Sequence, residues 1–234
     1  MPRKDRPKEA LDASTEAMLA EHERLSALYL NNADMGEKRT TTYLTLVSAG
    51  GAVILGAAQF RMEPQSLLWL SLGLLAGMIV LGLLTYQRLI ERRVRATEYL
   101  RAINRIHCFF VWHDPALRPY FYWPPCDNVP SFRGKGAGLA GLRDVIAALN
   151  SLFVGILVVI IELQLWPALH NAIAIVSGLA IGALSWHLHQ VYEDRSLDRA
   201  ERSALKHVLF PDNGAPADPS ASVRATLDAP ERSE

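Results

Sequence analysis

Four stretches of this chain are long and uncharged: 40–60, 66–87, 145–161, which continues past Glu162 to Trp166, and 171–189, whose histidines are taken as neutral. A helix needs about 20 apolar residues to cross the hydrocarbon core, and each stretch meets or approaches that length. A helix of a soluble domain keeps a charged face. These stretches have none, so the pattern predicts transmembrane helices. The expected fold class is all-α: a polytopic membrane protein with four transmembrane helices arranged as two hairpins, and with helices extending into the cytoplasm.

The polar stretches divide the rest. The expected parts are a cytoplasmic arm with an amphipathic helix (1–39), the first hairpin (40–87), a stalk helix and elbow (88–144), the second hairpin (145–189), a further helix (190–210) and a tail (211–234). The tail is rich in Ala, Pro, Ser and Asp, a composition expected to be disordered.

Positive charge sets the orientation. Lys and Arg crowd the arm (Arg3, Lys4, Arg6, Lys8, Arg24, Lys38, Arg39), the segment from Arg88 to Arg143, and the segment after Arg195. The two connecting loops, 61–65 and 162–170, hold only Arg61. Basic residues mark the cytoplasmic side, so the hairpin tips are expected outside and both termini in the cytoplasm of a bacterial inner membrane. The first forty residues lack the apolar core of a signal peptide, and the first span is expected to act as its own insertion signal. No lipidation box is apparent. Outer loops this short hold no folded domain, so function is expected in the membrane or on its inner side.

Within the arm, Leu11, Met18 and Leu25 recur every seven residues, and Leu28 and Tyr29 extend that side, predicting a helix from about Glu9 to Asp34. It packs either on the protein's own surface or on a neighbouring subunit. Asn31, Asn32, Asp34 and Gly36 are expected to interrupt it before the membrane. After Gln87 no Gly or Pro occurs until beyond Val111, predicting one unbroken helix from the second span through the stalk. Val94, Ala96, Leu100, Ile103 and Phe110 form its apolar stripe. Arg92, Arg95, Arg101 and Arg105 supply its polar side, with Glu91 spaced to pair with Arg95. The stalk residues singled out are Arg92, Arg95, Leu100, Ile103 and Phe110. The fourth span likewise continues as a helix until Pro211. Between Trp112 and Gly141, five prolines and a dense aromatic cluster rule out a regular helix. An ordered elbow on the stalk helices and an interfacial aromatic anchor both fit, and the prolines favour the elbow.

No constellation points to chemistry. GKGAGLAG lacks the order of a phosphate loop and no strand precedes it. His107, Cys108, His113 and Cys126 lack the short repeated spacing of zinc ligands, and both cysteines are expected as reduced thiols. His187 and His189 have no matching histidines across the spans to hold haem, and His170 lies at the other end. No acidic or basic residue lies near the middle of a span, as proton-driven transport would require; Glu162 and Asn150 lie at opposite edges of the third. No catalytic, cofactor-binding or metal-binding residue is therefore assigned, and no cofactor. The chain is not expected to be an enzyme or, with zero net charge, to bind nucleic acid.

The spans do carry small residues at helical spacing: Gly73 and Gly77, Gly178 and Gly182, and the row Ser48, Ala52 and Gly56. Such faces let helix backbones approach closely in lipid, within one chain or between chains.

In its order of parts the chain resembles the SLATT-type membrane effectors of bacterial nucleotide-signalling and anti-phage systems. The likeness is carried by the arm Glu9–Asp34, the junction ALYLNNADMGEKRTTTYL, the first hairpin and the helix after Gln87. RAINRIHCFF and GLRDVIAALNSLF also look like segments of uncharacterised bacterial four-span proteins. The short outer loops, the small-residue faces, the extended inner helices and the lack of a catalytic constellation lead to the expectation of a homo-oligomeric, channel-like or membrane-perturbing effector gated from the cytoplasmic side. The alternative is a membrane anchor or scaffold that recruits a cytoplasmic partner. The expected partners are thus the bilayer, further copies of the chain and a cytoplasmic protein.

Overall fold

The structure, a computed structural model, describes residues 8–121, 126–133, 141–166 and 171–210, with side chains from residue 13 onward. Among these residues all regular structure is helical: α1 (Lys8–Gln59), α2 (Pro64–His113), a short 3-10 helix (Pro115–Tyr120), α3 (Leu142–Leu165) and α4 (Asn171–Leu205). Each α-helix is long and apolar enough to cross a membrane. The expected tail, the loop GKGAGLAG up to Ala140, Tyr122, Trp123 and His170 lie outside the described residues.

Local chemistry sets the helix ends. α1 closes with Arg61 in the left-handed region at φ 52°. Its N–H donates to the Ala58 carbonyl and that of Met62 to Ala57, both at 3.2 Å, satisfying two carbonyls that the helix end leaves free. Pro64 then opens α2, where its missing N–H has no helical partner to lose. α2 runs without a break through Phe110 to His113. It ends where Asp114, held extended before Pro115, accepts the Ala116 N–H at 3.0 Å. At the start of α3 the Asp144 carboxylate accepts the Gly141 N–H at 3.0 Å, the reach-back half of a capping box.

The expected interruption of α1 at Asn31–Gly36 is absent; the helix passes through it. A mid-helix glycine costs only about 1 kcal/mol relative to alanine, too little to stop a helix already propagating from both sides. The Thr40 hydroxyl also donates back to the Gly36 carbonyl at 3.1 Å.

The chain forms two compact units. The span unit comprises Asp34–Arg92 and Lys135–Leu197, and the arm–elbow unit Met1–Ala33, Arg93–Gly134 and Asp198–Glu234. Thus α1, α2 and α4 each contribute turns to both. The core of the span unit is Tyr43, Tyr86, Ile90, Ile146 and Ala147, flanked by Leu44, Val47, Leu89 and Leu149. In the arm–elbow unit, Leu25, Ile106, Cys108, Cys126 and Phe132 are buried. Of the described residues of the arm's heptad stripe, Leu25 is buried within its own chain, and Met18, Leu28 and Tyr29 are half-buried.

Candidate functional site

A polar layer lies buried in the span unit, and all four helices supply it. Tyr43 comes from α1, Gly82 and Tyr86 from α2, Asn150 from α3, and His189 and Glu193 from α4; each is buried. The Tyr86 hydroxyl donates to the His189 carbonyl at 2.9 Å and lies 3.4 Å from Glu193 Oε2. The Tyr86 and His189 rings meet edge to face with centroids 4.8 Å apart. His189 Nδ1 is 2.7 Å from the Ser185 carbonyl. A carbonyl only accepts, so Nδ1 carries the proton and Nε2 presents a lone pair. Asn150 Nδ2 stands 3.5 Å from that nitrogen as its donor.

This contact orients the Asn150 amide, so that Oδ1 faces α2 at Gly82. The Tyr43 hydroxyl comes to the same place: a Cβ on Gly82 would lie 2.8 Å from Tyr43 Oη and 2.8 Å from Asn150 Cγ. Neither Tyr43 Oη nor Asn150 Oδ1 has a hydrogen-bond partner. At the edge of the layer, Arg143 Nη1 reaches Glu193 Oε1 at 2.5 Å. Burial raises the pKa of Glu193, and Arg143 opposes that rise. The layer holds an acid, a base and two unpartnered polar atoms, but no nucleophile paired with a general base. Its evident capacity is to join α2, α3 and α4 by polar contacts that a shift of any one would break, with Tyr43 of α1 packed against them.

Asn150, placed by its sequence position only near the edge of a span, is thus a central residue. His189 packs in the layer, whereas His187 is exposed. Glu162 accepts a hydrogen bond from Ser177, linking α3 to α4.

The small-residue faces divide. Gly178 and Gly182 pack against α3 of the same chain: a Cβ on Gly178 would lie 2.7 Å from the Gly155 carbonyl oxygen, and one on Gly182 3.0 Å from that of Ser151. Gly155, their counterpart, is not singled out in the sequence, although it ends a row of small residues, Ala147, Ser151 and Gly155, at the same four-residue spacing. Gly56, Gly73 and Gly77 have nothing of their own chain within 4 Å of a Cβ, and Ser48 and Ala52 are exposed. An apolar groove of about 370 Å³ runs beside the α3–α4 glycine contact, lined by Leu152, Ile156, Val159 and Leu179 among others.

The arm–elbow unit corrects the reading of the stalk. Leu100, Ile103, Phe110 and Arg92 are half-buried and Arg95 is exposed. Arg101, expected on the polar side, is buried instead: Glu201 and the elbow pair its Nη2 and Nε, while Nη1 is buried without a hydrogen-bond partner. Nη2 donates to Glu201 Oε1 at 2.5 Å and Nε to the Pro130 carbonyl at 2.9 Å, while the guanidinium carbon lies 4.6 Å from the centre of the Phe132 ring. Thr97, Arg101, Asn104 and Cys108 thus form one buried face of the stalk, and Ile106 is buried on the opposite side of the helix. Glu91 pairs with Arg88 at 2.9 Å, three residues before it, rather than forming the anticipated pair with Arg95.

In the elbow, Asp127 is buried. It receives Arg105 at 2.9 Å and the backbone N–H groups of Leu209 and Phe210, each at 2.9 Å. Burial pushes the Cys108 thiol up to about 12, with Asp127 and Cys126 adding to the rise, so it stays protonated and unreactive. His107, Cys108, His113 and Cys126 do not gather: His107 turns to His22 on α1, and His113 bonds the Phe109 carbonyl. Among the described residues no three His, Cys, Asp or Glu side chains converge as metal ligands would.

Comparison with protein-family models, with curated proteins and with solved structures gave no match.

Proposed function

We propose that the chain is a homo-oligomeric, non-enzymatic protein of the bacterial inner membrane. Its spans form two hairpins, with both termini and the 88–144 segment cytoplasmic, and it acts as a channel-like or membrane-perturbing effector gated from that side. One observation carries the oligomeric reading. The chain closes its Gly155–Gly178–Gly182 contact internally but leaves Gly73 and Gly77 of α2 and Gly56 of α1 uncovered. Small residues allow backbones to approach in lipid, and a second copy is the partner that such a face would admit. The charge pattern supports the topology, and the likeness to SLATT-type effectors supports the activity. Gating has a physical route, because α1, α2 and α4 each belong to both units, and a helix carries displacement along its own hydrogen bonds.

The test is induced expression in bacteria loaded with a membrane-potential dye, together with cross-linking in native membranes. Wild type is expected to depolarise cells and to cross-link as oligomers, and Gly77→Leu to lose both. A protein that stays monomeric, or never depolarises cells even beside the products of its neighbouring genes, would sink the reading.

A scaffold is the second reading, favoured by Leu19 and Leu30 on the arm, which are 56% and 63% exposed. Eleven residues apart, they lie on one side of α1, and there a cytoplasmic partner helix could dock. Conductance of purified protein in liposomes separates the two readings.

A further inference from the structure

In the arm–elbow unit two histidines 85 positions apart in the chain meet ring to ring: His22 on α1 and His107 on α2, with Nε2 atoms 3.4 Å apart. That spacing fits a long, weak hydrogen bond between the rings. It also matches two donors on one metal ion. Imidazole nitrogens each about 2.0–2.1 Å from a tetrahedral zinc stand roughly 3.3–3.4 Å apart.

The surroundings favour the same reading. The His107 ring is stacked on Phe121, centroids 4.4 Å apart and planes inclined by 24°, so its direction is fixed before any ligand arrives. Its second nitrogen, Nδ1, is buried with no hydrogen-bond partner. For Nε2 to offer its lone pair to an ion the ring proton must sit on Nδ1, where it has no acceptor in the chain, so the ion–nitrogen bond has to offset that buried N–H. His22 is only half-buried, leaving an approach from solvent.

We infer that His22 and His107 together bind one divalent transition-metal ion, such as Zn²⁺, through their Nε2 atoms. With two protein ligands, water completes the coordination. Binding is weaker than at a closed four-ligand site, and the ion clasps the α1 arm to α2 within this unit. A chelate of this kind leaves no short-range motif, since its two ligands come from different helices. The inference stands apart from the channel reading and does not depend on it.

The test uses the full-length, untagged protein in detergent micelles, titrated with ZnCl₂ by calorimetry and followed by thermal unfolding with and without EDTA. One ion is expected per chain at sub-millimolar metal, with an upward shift of the unfolding temperature that EDTA reverses. His22→Gln is expected to weaken binding by at least about ten-fold, while His113→Gln and His207→Gln, at exposed positions, leave it intact. His107→Gln should match His22→Gln. If it fails to fold, His22→Gln decides alone, because that side chain is half-exposed. No binding at sub-millimolar zinc, or binding that survives His22→Gln, would overturn the inference.

Discussion

Asn150 is held amide-first against Nε2 of His189, at 3.5 Å, and this fixes its carbonyl oxygen over Gly82, where the Tyr43 hydroxyl also arrives. Gly82→Ala is expected to destabilise the protein by about 1–3 kcal/mol, as overpacking of a closed site does. Tyr43→Phe alone removes a buried hydroxyl that has no partner, so it should be near neutral. Combined with Gly82→Ala it should recover part of the loss. Unfolding temperatures of the two single variants and the double variant in micelles decide this. Additive losses would show that the hydroxyl is not the obstacle.

The glycines make a second comparison. Gly178→Ala drives its Cβ toward the Gly155 carbonyl, backbone that cannot turn aside as a side-chain tip can. A loss of about 1–3 kcal/mol is expected. Gly51→Ala, outside the glycine face proposed for self-association, meets nothing of its own chain and improves helix propensity, so it should be neutral or raise stability by up to about 1 kcal/mol. Equal effects at the two sites, measured by thermal unfolding in micelles, would contradict this assignment of faces.

The long elements were legible in the sequence because uncharged runs of span length allow little else. The second helix could be followed to Phe110 for want of any Gly or Pro to stop it. What failed to show was which polar residues turn inward. Arg101 has the same composition signature as Arg95, and only the elbow and Glu201, 100 positions away in the chain, make one of them buried. Asn150, Tyr43 and His189 are likewise ordinary in their own spans and form a layer only once four helices meet. The expected break at Asn31–Gly36 failed for the opposite reason. Local propensities of about 1 kcal/mol weigh less than the continuity of a long helix.

Arg61 holds a left-handed backbone at φ 52°, a region that costs a residue with a Cβ about 1–2 kcal/mol and glycine almost nothing. Arg61→Gly is therefore expected to stabilise the α1–α2 turn by about 1 kcal/mol. Denaturant unfolding would register it as a higher midpoint with an unchanged slope. A lower midpoint would mean that the Arg61 side chain contributes more than its backbone strain removes.

Glu201 gives the arm–elbow unit a pH dependence whose sign can be worked out. Its carboxylate takes Arg101 at 2.5 Å, the Phe132 N–H at 2.8 Å and the Ser131 hydroxyl at 3.1 Å. Burial alone would raise its pKa; Arg101, the Phe132 N–H and Ser131 outweigh burial and hold it below the usual 4.5. A carboxyl with a lowered folded-state pKa binds fewer protons folded than unfolded. Its contribution to stability is therefore complete above the ordinary carboxylate range and lost as pH falls through the folded-state value. Glu201→Gln should lose stability at neutral pH by about 3 kcal/mol, because the Arg101 side chain, only 6% exposed, is left charged and unpaired. Below pH 4.5 the variant should fall less steeply than wild type, so that the two curves converge. Other carboxylates titrate in both proteins and cancel in the difference. Hydrogen exchange at the Phe132 amide, followed from neutral to acid pH, is the local readout. Parallel curves for the two proteins would mean that Glu201 is not the group that titrates there.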